Sequence, residues 1–315
     1  MAIGPVEILC SLLPVTTPQL LVGTSGFSYA EWKGNFYPAG LPDGEMLKSY
    51  AERLPTVEIN NTFYRMPQPA LLEGWNNKVA GVADFRFALK APKSITHIAR
   101  LKDAGDGTAF FLKVAATLGA RLGPILFQLP PFFRKDAGVL REFLELLPAE
   151  TKAAFEFRHA SWFDDEVTTL LADRGAALVA GDPDEGEPLP LIATAPFGYL
   201  RLRAASYELA GLEAWHARIA AQPWQTAYVY LKHEVLGPAY AQGLQQLFRG
   251  ETPVLPVATP AQAAPPKQRK AKIKAAAETK KAAKKAVAAA PKVAKKAAPK
   301  KTKAAEPRKR DKAAK

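Results

Sequence analysis

The chain has 315 residues, of which 48% are hydrophobic and 23% are charged, as in ordinary globular proteins. Its formal net charge is +13, but the charge is uneven. Residues 265–315 hold 17 Lys and 3 Arg against three acidic residues, whereas residues 1–264 hold 23 basic and 27 acidic residues. The single cysteine, Cys10, excludes an intramolecular disulfide and a metal site built from several thiolates.

The beginning of the chain does not resemble a targeting signal. No Lys or Arg precedes the apolar run at Ile8, and Pro5, Pro14 and Pro18 interrupt that run, so residues 1–18 are predicted to be a loose leader. No stretch of the sequence is long and apolar enough to cross a bilayer. We therefore expect a soluble, cytoplasmic protein with no membrane partner.

Short β-rich segments bounded by turn residues recur along the chain. The predicted strands are Leu20–Gly23, Val57–Asn60, Phe85–Lys90, Ile125–Leu129, Ala154–Arg158, Ala177–Gly181, Tyr199–Arg203 and Ala227–Lys232. Amphipathic stretches with helical spacing lie between most of them. The predicted helices are Glu45–Arg53, Ala70–Val79, Ala109–Leu118, Ala137–Leu147, Asp165–Arg174, Leu212–Ala221 and Ala239–Phe248.

This alternation predicts an α/β fold, a (β/α)8 TIM-type barrel over residues 19–250, because eight strands with helical crossovers in roughly 230 residues match that fold in number and length. An open doubly wound sheet is the alternative. Its usual dinucleotide signature is absent, because the first turn, Gly23-Thr-Ser-Gly-Phe-Ser-Tyr, lacks the G-x-G-x-x-G spacing. No motif indicates a particular cofactor, reaction or oligomeric state.

Several long motifs occur in a fixed order. They are Gly23-Thr-Ser-Gly-Phe-Ser-Tyr with Trp32 and Phe36-Tyr-Pro, Val57-Glu-Ile-Asn-Asn-Thr-Phe-Tyr, Phe85-Arg-Phe-Ala-Leu-Lys-Ala-Pro-Lys, Ile95-Thr-His, Leu126-Phe-Gln-Leu-Pro-Pro, and Phe155-Glu-Phe-Arg-His-Ala-Ser-Trp-Phe. In these motifs the chain resembles the YecE-like family, also called domain of unknown function 72, over about residues 20–250. The resemblance implies a barrel related to the (β/α)8 type and implies no particular activity. The basic C-terminus is an addition to the family pattern.

Active sites of (β/α)8 barrels lie at the C-terminal ends of the strands, so the polar and aromatic residues there are the candidates. The candidate catalytic residues are Lys90, Glu156 and Arg158, and the candidate ligand-binding residues are Tyr29, Trp32, Asn60, Tyr64, Gln128, Trp162, Asp182 and Arg201. The cations Lys90, Arg158, Arg201 and Lys232 predict a small anionic ligand. The four aromatic residues either stack on a sugar or base or pack over the rim of the barrel.

Glu156 and Arg158 form the strongest pair of candidates. They are two residues apart on a strand and share a face, whereas Phe155 and Phe157 point toward the helices. One interpretation assigns Glu156 to proton transfer and Arg158 to an anionic group. The other is a buried ion-pair network with Lys90, Arg201 and Asp182 that closes the barrel.

A metal site is a third interpretation. His97, His159 and His233 follow predicted strands and, with Glu156 and Asp182, define the ligands of a metal-dependent hydrolase. No two of the histidines have a ligand-pair spacing such as H-x-x-x-H, so our main prediction includes no metal.

After Gly250 the alternating pattern stops. Residues 251–266 read as a linker, and residues 267–315 as a disordered Lys/Ala/Pro tail whose composition resembles linker-histone tails. Flexible lysines bind phosphates through charge, so we expect the tail to contact DNA or RNA without sequence specificity, with the barrel either an enzyme or a non-enzymatic nucleic-acid-associated binding module. The paired lysines expected to make this contact are Lys280, Lys281, Lys284, Lys285, Lys295, Lys296, Lys300 and Lys301. The alternatives are a solubility tail, a cover for the acidic body and attachment to an anionic membrane.

Overall fold

The structure is a computed structural model that describes residues 17–182 and 188–256. The strands within these ranges are β1 (Gln19–Ser25), β2 (Thr56–Ile59), β3 (Arg86–Lys90), β4 (Leu122–Gln128), β5 (Ala153–Glu156), β6 (Ala177–Leu178), β7 (Ala180–Asp182), β8 (Phe197–Leu202) and β9 (Thr226–Leu231). The helices are α1 (Met46–Ala51), α2 (Asn61–Tyr64), α3 (Pro69–Lys78), α4 (Gly105–Ala115), α5 (Ala137–Glu145), α6 (Asp165–Arg174), α7 (Leu209–Ala220) and α8 (Gly237–Phe248). Residues 1–16 of the predicted leader, the tail and residues 257–266 of the linker lie outside the described residues.

The strands form one parallel sheet that curls into a nearly closed barrel. Their order is β6-β5-β4-β3-β2-β1-β9-β8-β7, so β1 pairs with both β2 and β9. Only Val179 separates β6 from β7, and its backbone N–H donates to the carbonyl oxygen of Phe155 at 2.9 Å. Together they occupy one strand position, between β5 and β8. The predicted TIM-type barrel is therefore confirmed, with its sixth strand divided in two.

Side-chain alternation along the strands separates two apolar regions. Phe155 faces outward and contacts Phe143 of α5, with ring centroids 6.2 Å apart, as the sequence pattern predicted. Inside the barrel, residues of the opposite parity form a second cluster that includes Leu21, Leu126 and Tyr228. This cluster therefore fills the part of the barrel interior that lies away from the C-terminal ends of the strands.

Nearer the C-terminal ends of the strands, beyond this apolar cluster, the side chains that point into the barrel are polar. Ser25 lies opposite Glu58 in the β1–β2 register, and Gln128 lies opposite Glu156 in the β4–β5 register. On β7, Gly181 has a φ of +138°, and a Cβ atom there would lie 2.2 Å from the carbonyl oxygen of Arg201. Glycine thus permits the close approach of β7 to β8 beside Arg201.

Several short helical segments were not predicted from the sequence. Two of them follow strands directly, namely α2 after β2 and a single wide turn over Ser94–Ile98 after β3. Both are too short to show an amphipathic period. Among the helices of the described ranges, none has the length and apolar character needed to cross a membrane.

Candidate functional site

Arg201 occupies the centre of the barrel mouth and bridges two buried carboxylates. Its Nε and Nη2 atoms lie 2.9 Å from Oε2 and Oε1 of Glu58, and its Nη1 atom lies 2.5 Å from Oε2 of Glu156. Arg201 is 4% exposed and both glutamates are 0% exposed. Such a group is stable only because each charge has partners inside the barrel.

Glu58 accepts hydrogen bonds from three further side chains. Ser25 Oγ donates to Oε1 at 2.8 Å, Asn60 Nδ2 donates to Oε1 at 2.9 Å, and Tyr199 OH donates to Oε2 at 2.9 Å. Burial alone would raise the pKa of Glu58, but the charge of Arg201 and these hydrogen bonds lower the pKa to about 2. Glu58 is therefore ionised at any ordinary pH.

Glu156 is surrounded by four donors. Besides Arg201, it accepts from Gln128 Nε2 at 2.8 Å, from Arg158 Nε at 3.1 Å and from Arg203 Nη2 at 3.2 Å. Burial opposes ionisation, yet the three guanidinium groups hold the pKa of Glu156 well below its usual range. A carboxylate that stays ionised and has both oxygens occupied is poorly suited to the proton transfer suggested from the sequence. The geometry matches the alternative interpretation, a buried ion-pair network.

Lys90 and Asp182 do not join this network as ion pairs. Lys90 Nζ donates to Gln128 Oε1 at 2.7 Å, so Gln128 links the amine to Glu156 through a neutral amide. Asp182 accepts from Tyr207 OH at 2.7 Å and from the backbone N–H of Arg203. The predicted association of these residues with Arg201 is thus indirect.

The surroundings of Lys90 are cationic and partly apolar. Lys90 is 8% exposed, and its Nζ atom lies 4.1 Å from the centroid of the Phe63 ring. Among the described residues, no carboxylate forms an ion pair with it. Burial and the charge of Arg201 lower the pKa of Lys90 to about 7, against the opposing effect of Glu58 and Glu156.

His97 lies beside Phe63, the aromatic residue that Lys90 also contacts. Its Nδ1 atom is 2.9 Å from Thr96 Oγ1, and its ring meets Phe63 edge-on at 4.8 Å. Burial, followed by the charges of Lys90 and Arg158, lowers the pKa of His97 to about 4. Its imidazole is therefore neutral near pH 7.

Most of the predicted aromatic surface is buried. Trp162 and Trp32 are each 1% exposed, and their Nε1 atoms donate to the carbonyl oxygens of Phe133 and Glu234, each at 2.8 Å. Tyr29 is partly buried and donates to the carbonyl oxygen of Ser25 at 2.7 Å. For the two tryptophans this burial favours the alternative given from the sequence, packing over the rim of the barrel. Tyr64 is 73% exposed and is open to a ligand.

The structure does not bring the proposed metal ligands together. His159 Nδ1 contacts Ser161 Oγ at 2.9 Å, and His233 Nδ1 accepts from the backbone N–H of Leu236 at 2.9 Å. Within residues 17–182 and 188–256, no three His, Cys, Asp or Glu side chains form a group that could hold a metal. The metal-dependent hydrolase interpretation gains no support from this arrangement.

Sequence reasoning missed Glu58 and Phe63. Glu58 had a detectable signal, because it is a charged residue between Val57 and Ile59 in a strand and has the same parity as Asn60. No sequence signal marks Phe63, because its role depends on contacts with Lys90 at the end of the next strand and with His97 beyond it. The tail lysines from Lys280 to Lys301 lie outside the described residues.

Residues 21–269 match the family described as protein of unknown function DUF72. The chain belongs to the DUF72 family. It is 35% identical over 118 residues to the UPF0759 protein YecE of Escherichia coli K12, covering 37% of this chain and 43% of YecE. It is 25% identical over 182 residues to the UPF0759 protein YunF of Bacillus subtilis, covering 54% of this chain and 63% of YunF. The chain therefore matches less than two thirds of the length of each of these relatives.

Solved DUF72 structures share this fold. A DUF72 family protein from Thermotoga maritima MSB8 has a TM-score of 0.65 and 25% identity, covering 73% of this chain and 99% of that protein. A DUF72 family protein from Enterococcus faecalis V583 has a TM-score of 0.60 and 18% identity, covering 74% and 98%. DUF72 proteins have no assigned biochemical role, so function rests on the geometry of the barrel mouth.

Proposed function

We propose that the barrel mouth of this DUF72 protein binds a small ligand bearing a carboxylate or a phosphate. The proposal rests on how the guanidinium group of Arg158 is held and on how far it is exposed. Its Nε atom is held 3.1 Å from Oε1 of buried Glu156, and its side chain is 35% exposed. Among the described residues, its two Nη groups hydrogen bond to nothing, so a pre-oriented guanidinium edge faces the mouth.

The charge distribution of the mouth supports the same proposal. The carboxylates of Glu58 and Glu156 are occupied by arginine donors, and Lys90 has a neutral amide as its hydrogen-bond acceptor. An anion beside Arg158 and Lys90 would pair with the amine, which has no carboxylate partner among the described residues, and with the Nη groups of Arg158, which Glu156 does not contact. Gln128 and Asn60 hold the network in place through hydrogen bonds.

Thermal stability of the full chain in the presence of inorganic phosphate and of pyruvate tests the site. We expect both anions to raise the melting temperature in proportion to occupancy. Arg158→Gln should abolish the shift. Arg249→Gln is the matched control, because Arg249 follows α8 and lines the same cavity as Gln19 at the start of β1, at the other end of the barrel. An equal loss in both variants, or no shift in the parent, would contradict the proposal.

A second candidate function concerns the C-terminus, and the charge of the sequence favours it. Residues 265–315 carry a net charge of +17, whereas residues 1–264 carry −4. The segment has no aromatic residue for base stacking, and Lys outnumbers Arg 17 to 3. We infer that the segment binds DNA or RNA through phosphate contacts and without sequence preference.

Gel shifts with unrelated duplexes test the tail. The full chain should shift them equally, with affinity that falls steeply as salt rises. Replacing the eight paired lysines between Lys280 and Lys301 by Gln should remove most of this binding without changing the barrel. Undiminished shifting by that variant, or an affinity nearly independent of salt, would show that the segment has another role, such as solubility.

A further inference from the structure

Lys90 is chemically unusual among the lysines of the barrel. It ends β3 inside the mouth, and its amine contacts the side-chain carbonyl of Gln128 and the face of the Phe63 ring. The nearby carboxylates are held by arginines rather than by Lys90. An amine in a desolvated, cationic place gives up its proton readily and becomes a nucleophile toward carbonyl carbon.

The lowered pKa of Lys90 greatly increases the fraction of this side chain that is present as the free amine. With its pKa at about 7, Lys90 is about half unprotonated at neutral pH. An ordinary solvated lysine, with a pKa near 10.4, is unprotonated to roughly 0.04%. The groups that act on Lys90 are Arg201 and Arg158, which favour the neutral amine, and Glu58 and Glu156, which favour the ammonium. The free-amine fraction at this one position is therefore about a thousandfold above that of an ordinary lysine.

The neighbours of Lys90 supply the remaining requirements of carbonyl chemistry. Arg158 presents its guanidinium edge for an anionic group, as argued for the proposed function. His97 contacts the same Phe63 ring as Lys90, and its imidazole is neutral near pH 7. Gln128 takes one N–H of the amine, which orients the nitrogen.

The Lys90 amine contacts the Phe63 ring and Gln128, and Gln128 binds the same carboxylate that holds Arg158. From this arrangement we infer that the amine forms an imine with a small aldehyde or ketone bearing a carboxylate or phosphate. This inference rests on the proposed anion site and names the class of its substrate. It assigns Lys90 as the catalytic residue of that site and gives Glu156 the task of positioning Arg158.

The step balances without an oxidant or a reductant. The lone pair of Nζ forms a bond to the carbonyl carbon, and the π electrons of the C=O bond move to oxygen, which gains a proton that nitrogen loses. The resulting carbinolamine then loses its hydroxyl group as water, which takes a proton from solvent, while the nitrogen lone pair forms the C=N bond. The iminium nitrogen returns its remaining proton to solvent, so the products are one imine and one water.

Reductive trapping tests the inference on the full chain. The protein is incubated with pyruvate or dihydroxyacetone phosphate and sodium cyanoborohydride, and adducts are located by peptide mass spectrometry. We expect one saturating secondary amine at Lys90, formed at least tenfold faster than any adduct on the tail lysines and suppressed by inorganic phosphate. Labelling should rise with pH through about 7. Acetone, which lacks an anionic group, should label Lys90 at least tenfold more slowly.

Two variants separate a chemical role from a structural one. Lys90→Arg should lose the adduct while keeping a cation, and Lys93→Gln, an exposed residue three positions later, should label like the parent. If Lys90→Arg does not fold, the parent still decides, because the modified residue is identified directly. Phosphate stabilisation without an adduct at Lys90 would overturn the imine and leave the anion site standing. Absence of both would overturn both, and equal labelling by acetone would overturn the anionic substrate class.

Discussion

Arg201 and Glu58 form a two-point ion pair inside the barrel, with Nε and Nη2 each 2.9 Å from a carboxylate oxygen. The two residues are 143 positions apart in the chain. A third nitrogen of the same guanidinium reaches Glu156, so one side chain joins β2, β5 and β8. The arrangement joins three strands at the mouth and occupies the carboxylates of Glu58 and Glu156, so the proposed ligand would meet Lys90 and the outer edge of Arg158.

Replacing Arg201 by Met should destabilise the protein strongly. The change leaves Glu58 and Glu156 buried without their shared cation, and breaking a buried pair in this way costs about 3–5 kcal/mol. Chemical denaturation followed by circular dichroism measures the loss. Arg158→Met, at a side chain that is 35% exposed, should cost about 1 kcal/mol or less. Similar losses for the two variants would contradict the central role of Arg201.

The main effect of Glu156→Gln should be a loss of stability, rather than a specific loss of activity. Sequence reasoning assigned Glu156 a proton-transfer role, for which neutralisation would remove activity and spare the fold. In the structure Glu156 accepts from three guanidinium groups, so an amide there would leave cationic donors without a partner, at a cost of about 3 kcal/mol. A melting temperature equal to that of the parent would contradict the buried ion-pair network around Glu156.

Stability should fall as the pH is lowered from about 4.5 to about 2. The pKa of Glu58 is about 2 in the folded protein against an ordinary value of 4.5, so the unfolded chain takes up its proton first and unfolding becomes favourable in this window. Above pH 4.5 the contribution is fully present. Thermal melts between pH 6 and pH 2.5 should show a slope that is smaller in Glu58→Gln. An unchanged slope in that variant would mean that Glu58 is not the responsible group.

Lys90 should also make stability rise with pH, but in the range from about 7 to 10.5. Its pKa is lowered from 10.5 to about 7 by burial and by Arg201, so between these values the unfolded chain binds the proton more tightly and stability rises with pH. Lys90→Met removes this contribution. We expect the variant to gain stability relative to the parent at pH 6 and to lose that advantage by pH 10. Parallel stability curves for the two proteins would show that Lys90 is not desolvated.

Replacing an aromatic residue around the mouth should destabilise the protein more when its side chain is buried than when it is exposed. Trp162 is 1% exposed and stacks on Phe157 with ring centroids 4.5 Å apart, so Trp162→Ala should cost about 3–5 kcal/mol. Tyr64 is 73% exposed, so Tyr64→Ala should change stability by about 0.5 kcal/mol or less. Denaturation midpoints check both values. Anion-dependent stabilisation measured on Tyr64→Ala then shows whether this residue contacts the ligand.

The barrel was predictable because its signals are local. The parity of Phe155, Glu156, Phe157 and Arg158 alone assigned two side chains to the helices and two to the mouth, as the structure has them for Phe155 and Glu156. Helix ends were less well predicted, and α4 begins at Gly105 rather than at the expected Ala109. Gly105 and Gly107 masked the first turn of α4, because glycine is a poor helix former and its presence indicates a loop.

The sequence by itself determined the strand–helix alternation, the inward parity of the polar residues and the separation of an acidic body from a basic tail, since each depends on neighbouring residues along the chain. Only the tertiary structure decided which charges pair. Glu58 and Arg201 meet because the closed sheet places β2 and β8 around one interior, and no local pattern encodes a distance across a barrel. The same closure buries Glu156 among arginines and turns Lys90 into a desolvated amine, because the ionisation of a side chain is set by neighbours that come from distant parts of the chain.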